Sequence, residues 1–443
     1  MKHSDPHRLH GYVFASVALL LCSSAHLPGQ NPKAVPPTHS LSPALATTTV
    51  GAVSSIAALR ATGSGNVFIN DVIQRRVVLL DSTLTVRRVV ADTTTVTRRL
   101  YGWAATGLFG YRGDTTLFLD GSALSIAVLN ADGDALRVMA PPRISDFGQL
   151  VGGSAGIPGL DGEGRLVYRG QGINSKEQLR RGRAGETARS DSVPLVRFDF
   201  ALRRLDTVTI LQSYTPAVTM LERELGGAHE IWMIPVLHPA PVIDDWAVMP
   251  SGTIAVVRGR DFHVDLYSGS SRPISGPKVP FAWRPLTDAD KVALIDSSRA
   301  LKERLFNEGI STAVNVAPVP GLEPVSSTSV TISSDSRSPI AARKAPETNY
   351  VSPSDLPDYQ PAFATGGLRA DAAGRLWVRI IPPVLTAEGP VYDVLDTRGA
   401  LLDRIEVPRG TAIAGFGPND SVYLAVREKG SLRLERRRYS APR

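Results

Sequence analysis

Asn66-Val67-Phe68-Ile69-Asn70 and, after a short polar turn, Arg76-Val77-Val78-Leu79-Leu80-Asp81 form the stretch on which the fold turns. Ahead of it lie the apolar run Ser55-Ile56-Ala57-Ala58-Leu59 and the turn Gly63-Ser64-Gly65, and behind it comes Val86 to Val90. Short runs of β-branched and aromatic residues, separated by glycine and polar turn residues, are the pattern of a four-stranded antiparallel meander.

The same phrase returns along the chain. Thr116-Leu117-Phe118-Leu119, Arg165-Leu166-Val167-Tyr168, Thr253-Ile254-Ala255-Val256, Arg375-Leu376-Trp377-Val378 and Ser421-Val422-Tyr423-Leu424 each occupy the place of Asn66-Val67-Phe68-Ile69. The middle residues Phe68, Phe118, Val167, Ala255, Trp377 and Tyr423 lie 50, 49, 88, 122 and 46 residues apart. Three of these spacings suit one unit of four strands per repeat of ~40–50 residues, and the two longer gaps require insertions. The expectation is an all-β chain folded as a six-bladed β-propeller with four-stranded antiparallel blades.

The last unit runs from Ile413-Ala414-Gly415-Phe416 to Leu432-Arg433-Leu434-Glu435-Arg436, with too few residues after it for a fourth strand. Ala44 to Val50, a Thr/Val-rich run near the other terminus, is the expected donor of that strand, so that the ring closes without an open edge.

Residues 1–25 read as an export signal: Lys2 and Arg8 come first, Tyr12 to Leu21 is a mostly apolar stretch, and Ser23-Ser24-Ala25 is a small-residue cleavage site. The apolar stretch is about half the ~20 residues that cross a bilayer. Cys22, the single cysteine, offers a competing lipid anchor, but Leu21 precedes it where lipoprotein signals carry a small residue. Membrane association is expected only in that case, no disulfide within the mature chain is available, and a periplasmic or secreted monomer is the preferred reading.

Residues 26–43 are expected to be a Pro-rich, extended and mobile tether, and residues 44–443 the propeller. One insertion, 171–191, holds Lys176, Arg180, Arg181, Arg183 and Arg189; with Glu177 and Glu186 among them and no aromatic residue between, it reads as a solvated loop rather than a nucleic-acid site. The other, 270–361, is expected to hold one helix at 287–306, opened by Thr287 and carrying Val292, Ile295, Leu301 and Leu305. Its Pro-, Ser- and Thr-rich remainder, Val316 to Pro361, is expected to be disordered or extended.

The units resemble the six-bladed propellers of exported bacterial proteins, in the broad group with NHL-type repeats. The likeness rests on Asn66-Val67-Phe68-Ile69-Asn70-Asp71 with Arg75 to Asp81, on Asp371-Ala372-Ala373-Gly374-Arg375-Leu376-Trp377-Val378 with Tyr392-Asp393-Val394-Leu395-Asp396, and on Asp245 to Val257. It implies a fold and no particular activity, because such rings carry hydrolases, lyases and binding scaffolds alike.

No catalytic motif emerges from the residues. Asp161 and Asp371 precede Gly-bearing turns, as Asp132 precedes Gly133, and turn-building explains all three. Gly152-Gly153-Ser154-Ala155-Gly156 only partly mimics a nucleophile elbow, and His229, His238 and His263 lack zinc-ligand spacing, so neither metal nor cofactor is expected. One recurrence stands out: Arg169, Arg258 and Arg379 end the second strands of three units. Loops leaving those ends share one face of a propeller, so the three guanidinium groups are candidates for a site that takes a carboxylate or phosphate; pairing with neighbouring acids is the plainer reading. The formal net charge of +7 favours acidic partners. A binding or protein-interaction module, its ligand a protein or a small anion, is the preferred function, with a hydrolase or lyase acting on a small molecule as the alternative.

Overall fold

The structure, a computed structural model of the 443-residue chain, describes residues 36–95, 101, 107–121, 123–152, 156–171, 192–225, 228–269, 272–307, 348–381, 389–428 and 430–442. The expected export signal, the basic loop and most of the Pro/Ser-rich segment lie outside them.

The described chain is mostly β, arranged as successive antiparallel sheets. Sheet I comprises Ala58–Ala61, Val67–Asp71, Arg76–Leu80 and Val86–Ala91, paired in chain order. Sheet II comprises Leu108–Gly110, Thr116–Asp120, Ser125–Leu129 and Ala135–Met139; sheet III comprises Gly159–Leu160, Leu166–Arg169, Ser192–Asp199 and Arg204–Gln212. Asp245–Val248, Ile254–Arg258, His263–Tyr267 and Ile274–Ser275 make sheet IV, and Phe363–Ala370, Leu376–Ile380, Val391–Leu395 and Leu401–Glu406 make sheet V. Sheet VI takes Thr411–Gly417, Ser421–Glu428 and Ser431–Arg438 from the C-terminal end, and its fourth strand is Ala46–Thr47, which pairs antiparallel as Ala46 with Arg436 and Thr47 with Glu435.

Strand residues alternate between two faces, and here both faces are apolar. Phe68 of sheet I packs with Phe118 of sheet II, while Val67 and Ile69, one position either side, pack with Tyr423 and Ala425 of sheet VI. The other junctions repeat this: Leu117 and Leu119 meet Leu166 and Tyr168, Val167 meets Ile254 and Val256, Ala255 and Val257 meet Leu376 and Val378, and Trp377 meets Val422 and Leu424. Each such fully buried side chain is worth roughly 1.5–3 kcal/mol. First strands also lie against one another, I on II, II on III, III on IV, IV on V and VI on I, and Arg369 of sheet V donates to the Ala414 carbonyl of sheet VI at 2.9 Å.

The structure corrects two expectations. The second half of the supposed tether is held in place: Thr38–Ser40 adds a fifth, parallel strand to sheet V beside Arg404–Glu406, and Leu41 is buried. A hairpin, Val218–Leu225 and Ala228–Leu237, stands between sheets III and IV where the sequence reading had only the repeat. Within the segment expected to be disordered or extended, Asn349–Tyr350 is an extended strand that pairs parallel with Val236 and Leu237, and Val351 and Leu356 are buried. The helix spans Asp288–Asn307 and packs Ile295 against Val351 and Leu356. Thr287 starts it with a reciprocal cap: its Oγ1 accepts the Asp290 N–H at 3.2 Å, and the Asp290 carboxylate accepts the Thr287 N–H at 3.0 Å. Among the described residues no helix is long and apolar enough to cross a membrane.

Candidate functional site

Asp245 opens the first strand of sheet IV and is 2% exposed. Its carboxylate accepts the Trp246 N–H at 2.9 Å and, from sheet V, the Leu368 N–H at 2.9 Å, so one side chain ties two sheets together. Arg169, the last residue of the second strand of sheet III, shares a cleft with Asp245 and donates to the Ser213 hydroxyl. Ser213, Asp244, Trp246 and Thr365 are among the other residues lining the cleft, whose volume of about 10 Å³ is room for one water or one ligand oxygen.

Burial dominates the electrostatics. It pushes the Asp245 carboxyl up to about 6, although the backbone N–H groups of Leu368 and Trp246 and the charge of Arg169 favour its ionised form. Burial likewise lowers the pKa of the Arg169 guanidinium against the pull of Asp245. Arg369, next in chain to Leu368, is lowered too: burial is the main cause, the charge of Arg379 adds to it, and Tyr392 and Asp245 oppose it. Asp245 thus acts on two arginines from neighbouring sheets, one on each side of it.

The three arginines picked out in the sequence therefore part company. Arg169 lines the cleft. Arg379 is close enough to act on the charge of Arg369. Arg258 is committed elsewhere: Nε donates to Asp265 at 2.8 Å, Nη1 to Asp244 at 2.7 Å and Nη2 to the Tyr267 hydroxyl at 2.8 Å. Burial acts to lower its pKa, and the two carboxylates more than offset that. Arg258 braces Asp244, a wall of the cleft, from behind. Sequence reasoning missed Asp245 and Arg369; an acid at the head of the apolar run Trp246-Ala247-Val248 was the available signal for the first, and nothing local marks the second.

The turn aspartates build turns. Asp161 accepts the N–H groups of Glu163 at 3.0 Å and Arg165 at 2.9 Å, and Asp371 accepts those of Ala373 at 3.0 Å and Arg375 at 2.9 Å, each also holding the arginine four residues on through Nε. In the third turn Asn130, not Asp132, accepts the backbone donors of Asp132 and Asp134. His263 sits between Asp261 at 2.7 Å and Asp265 at 3.2 Å, and His238 accepts the Ala240 N–H at 3.2 Å. Among the described residues no group of three or more His, Cys, Asp or Glu side chains is placed to hold a metal ion.

No family model matches the chain, and no curated protein matches it. Among solved structures, the chain is similar to a luciferin-regenerating enzyme, at 10% identity over 89% of this chain and 95% of that one with a TM-score of 0.37. It is also similar to the PQQ-bound aldose sugar dehydrogenase of Streptomyces coelicolor, at 12% identity over 91% and 100% with a TM-score of 0.35. Virginiamycin B lyase of Staphylococcus aureus is a third, at 7% identity over 89% and 88% with a TM-score of 0.33. Likeness at this level bears on neither activity nor substrate.

Proposed function

We propose that the chain is an exported six-bladed β-propeller, closed by Ala46–Thr47, that binds a small anion between sheets III, IV and V. Six repeats, six sheets joined pairwise by apolar clusters, and the N-terminal strand Ala46–Thr47 contributed to the last sheet support the architecture. The observation that carries the binding reading is the buried charge group: Arg169 and Arg369, from the sheets on either side, both depend on Asp245, and Arg169 reaches into the cleft to Ser213. A carboxylate or phosphate oxygen in the cleft would meet Arg169 and the hydroxyls of Ser213 and Thr365 in low dielectric, where charge-assisted hydrogen bonds are strongest.

Titrating purified protein with inorganic phosphate and with oxalate, followed by the melting temperature, tests this. Wild type is expected to melt higher as the anion rises, since a ligand at one hundred times its Kd stabilises by about 2.7 kcal/mol. Arg169→Gln is expected to weaken that effect at least tenfold while leaving the unliganded melt within a few degrees. If neither anion moves the wild-type melt, the site is a structural brace.

Asp245 makes a second, signed prediction. Its folded pKa is about 6, above the unfolded value, so its contribution to stability is complete below about pH 4 and is lost as pH rises through about 6. The loss amounts to roughly 3 kcal/mol, and Asp245→Asn is expected to flatten stability across that window in pH-dependent denaturant melts. Anion affinity is expected to follow the same sign, rising as the pH falls through about 6, because protonated Asp245 leaves the arginines without a counter-charge. The raised carboxyl also favours, as the alternative, an enzyme that uses Asp245 as acid and base; turnover abolished by Asp245→Asn with anion binding retained would select it.

A further inference from the structure

Far from the charge group, a groove of about 520 Å³ runs between the outer side of sheet II and the hairpin of sheet III that carries Arg203. Val138 and Leu136, on the edge strand Ala135–Met139, are 62% and 58% exposed, and Ile144, just beyond, is 68% exposed. Val138 and Ile144 line the groove together with the exposed Leu124, and Leu136 stands beside it; solitary exposed apolar residues are ordinary on a protein surface, but three lining one groove are not. Arg143 and Arg203 are the charged residues lining the groove, and no carboxylate lines it. Arg203 is fixed in place, donating to the carbonyls of Pro141 and Pro142 at 3.2 Å each and lying over the Phe198 ring.

Among the described residues Ala135–Met139 pairs along one side, with Ser125–Leu129, so its other side offers backbone donors and acceptors. The corresponding strand of sheet V has this side filled by the chain itself, through the parallel addition of Thr38–Ser40 beside Arg404–Glu406. In sheet I the exposed arginines of the fourth strand, Arg87 and Arg88, reach across to Asp132 and Asp134 and cover that side with charge. Among the described residues sheet II has neither an added strand nor an ion pair across that side; its edge strand carries the exposed Arg137 and exposes apolar side chains beside Arg143 and Arg203.

We propose that the outer edge of sheet II is the docking site for an extended, acidic segment of a partner protein, which adds as a strand along Ala135–Met139. Its apolar side chains lie on Val138 and Ile144, and its carboxylates meet Arg143 and Arg203. Strand addition takes affinity from main-chain hydrogen bonds and specificity from alternate side chains, and the missing acid in the groove sets the sign of the partner.

The test uses the full chain and three fluorescent decapeptides: one alternating Val and Glu, its Val and Lys counterpart, and the Val and Glu peptide with alternate backbone nitrogens methylated. Anisotropy is expected to show saturable binding of the first and at least tenfold weaker binding of the other two. Val138→Asp and Arg143→Glu are each expected to weaken the first at least tenfold with the melting temperature unchanged. Equal binding of the Lys peptide, or of the methylated one, overturns the proposal, as does binding indifferent to both substitutions. Self-association that Val138→Asp abolishes, with no peptide bound, overturns it in favour of a second copy of this chain as the occupant.

Discussion

Removing residues 36–50 is expected to lower the melting temperature by roughly 5 °C. The segment supplies the fourth strand of sheet VI, and the bonds lost are specific: Leu45 N–H to Arg436 O at 2.8 Å, Thr48 N–H to Leu434 O at 2.9 Å, Leu434 N–H to Thr48 Oγ1 at 3.0 Å, and Ser42 N–H to Arg438 O at 3.1 Å. At about 1 kcal/mol net for each, with the burial of Leu41 added, roughly 5 kcal/mol is at stake. For a chain of this size that corresponds to about 5 °C. The truncation also exposes the whole edge of Ser431–Arg438, so light scattering on heating is expected to rise at a lower temperature than for the intact chain. A calorimetric melt within about 2 °C of the intact protein would mean that sheet VI is stable with three strands, and closure by the N-terminal segment would be lost as an explanation.

Asp371→Ala is expected to be the most damaging single substitution of a turn residue, costing roughly 3–5 kcal/mol. Asp371 is buried and serves four donors: the N–H groups of Ala373 and Arg375, the Arg375 guanidinium at 2.6 Å and the Trp377 indole N–H at 3.0 Å. Alanine takes the Nε acceptor from Arg375, whose Nη2 keeps Asp420, and leaves the enclosed Trp377 indole N–H without its acceptor. Asp161→Ala provides the internal comparison, because that turn has the same backbone and arginine bonds but Val167 where the other has Trp377, so Asp161 serves no indole donor. The loss at Asp161 is therefore expected to be smaller by roughly 1–2 kcal/mol in urea melts. Neither substitution is expected to change anion binding at the Arg169 cleft; a variant that folds normally and fails to bind would make these carboxylates functional after all.

The lesson about legibility lies in which bonds are local. The turn role of Asp161 and Asp371 was readable because an aspartate, the glycine three residues on and the arginine four residues on close their bonds within one turn. The helix start at Thr287 was readable for the same reason, its cap partner being three residues away. The hairpin at Val218–Leu225 went unread because its strands fell in a gap already explained by an insertion, and its apolar pattern carried no repeat phrase. Tethering of Thr38–Ser40 went unread because prolines nearby suggested an extended segment, and an extended segment is also what adds to a sheet edge.

The amino-acid sequence by itself determined the repeating strands, their order, and the need for a strand from the other end of the chain, because alternating burial and turn chemistry act over a few residues. The tertiary structure alone decided which arginines share a site. Asp245 and Leu368 are 123 positions apart and Arg369 and Ala414 are 45 apart, so their meeting depends on how one sheet is set against the next. Arg258 looked equivalent to Arg169 along the chain, yet Asp244 and Asp265 occupy it, and only the packing of sheets III and IV, with Thr209 and Ile210 on one side and Asp244 on the other, distinguishes the two.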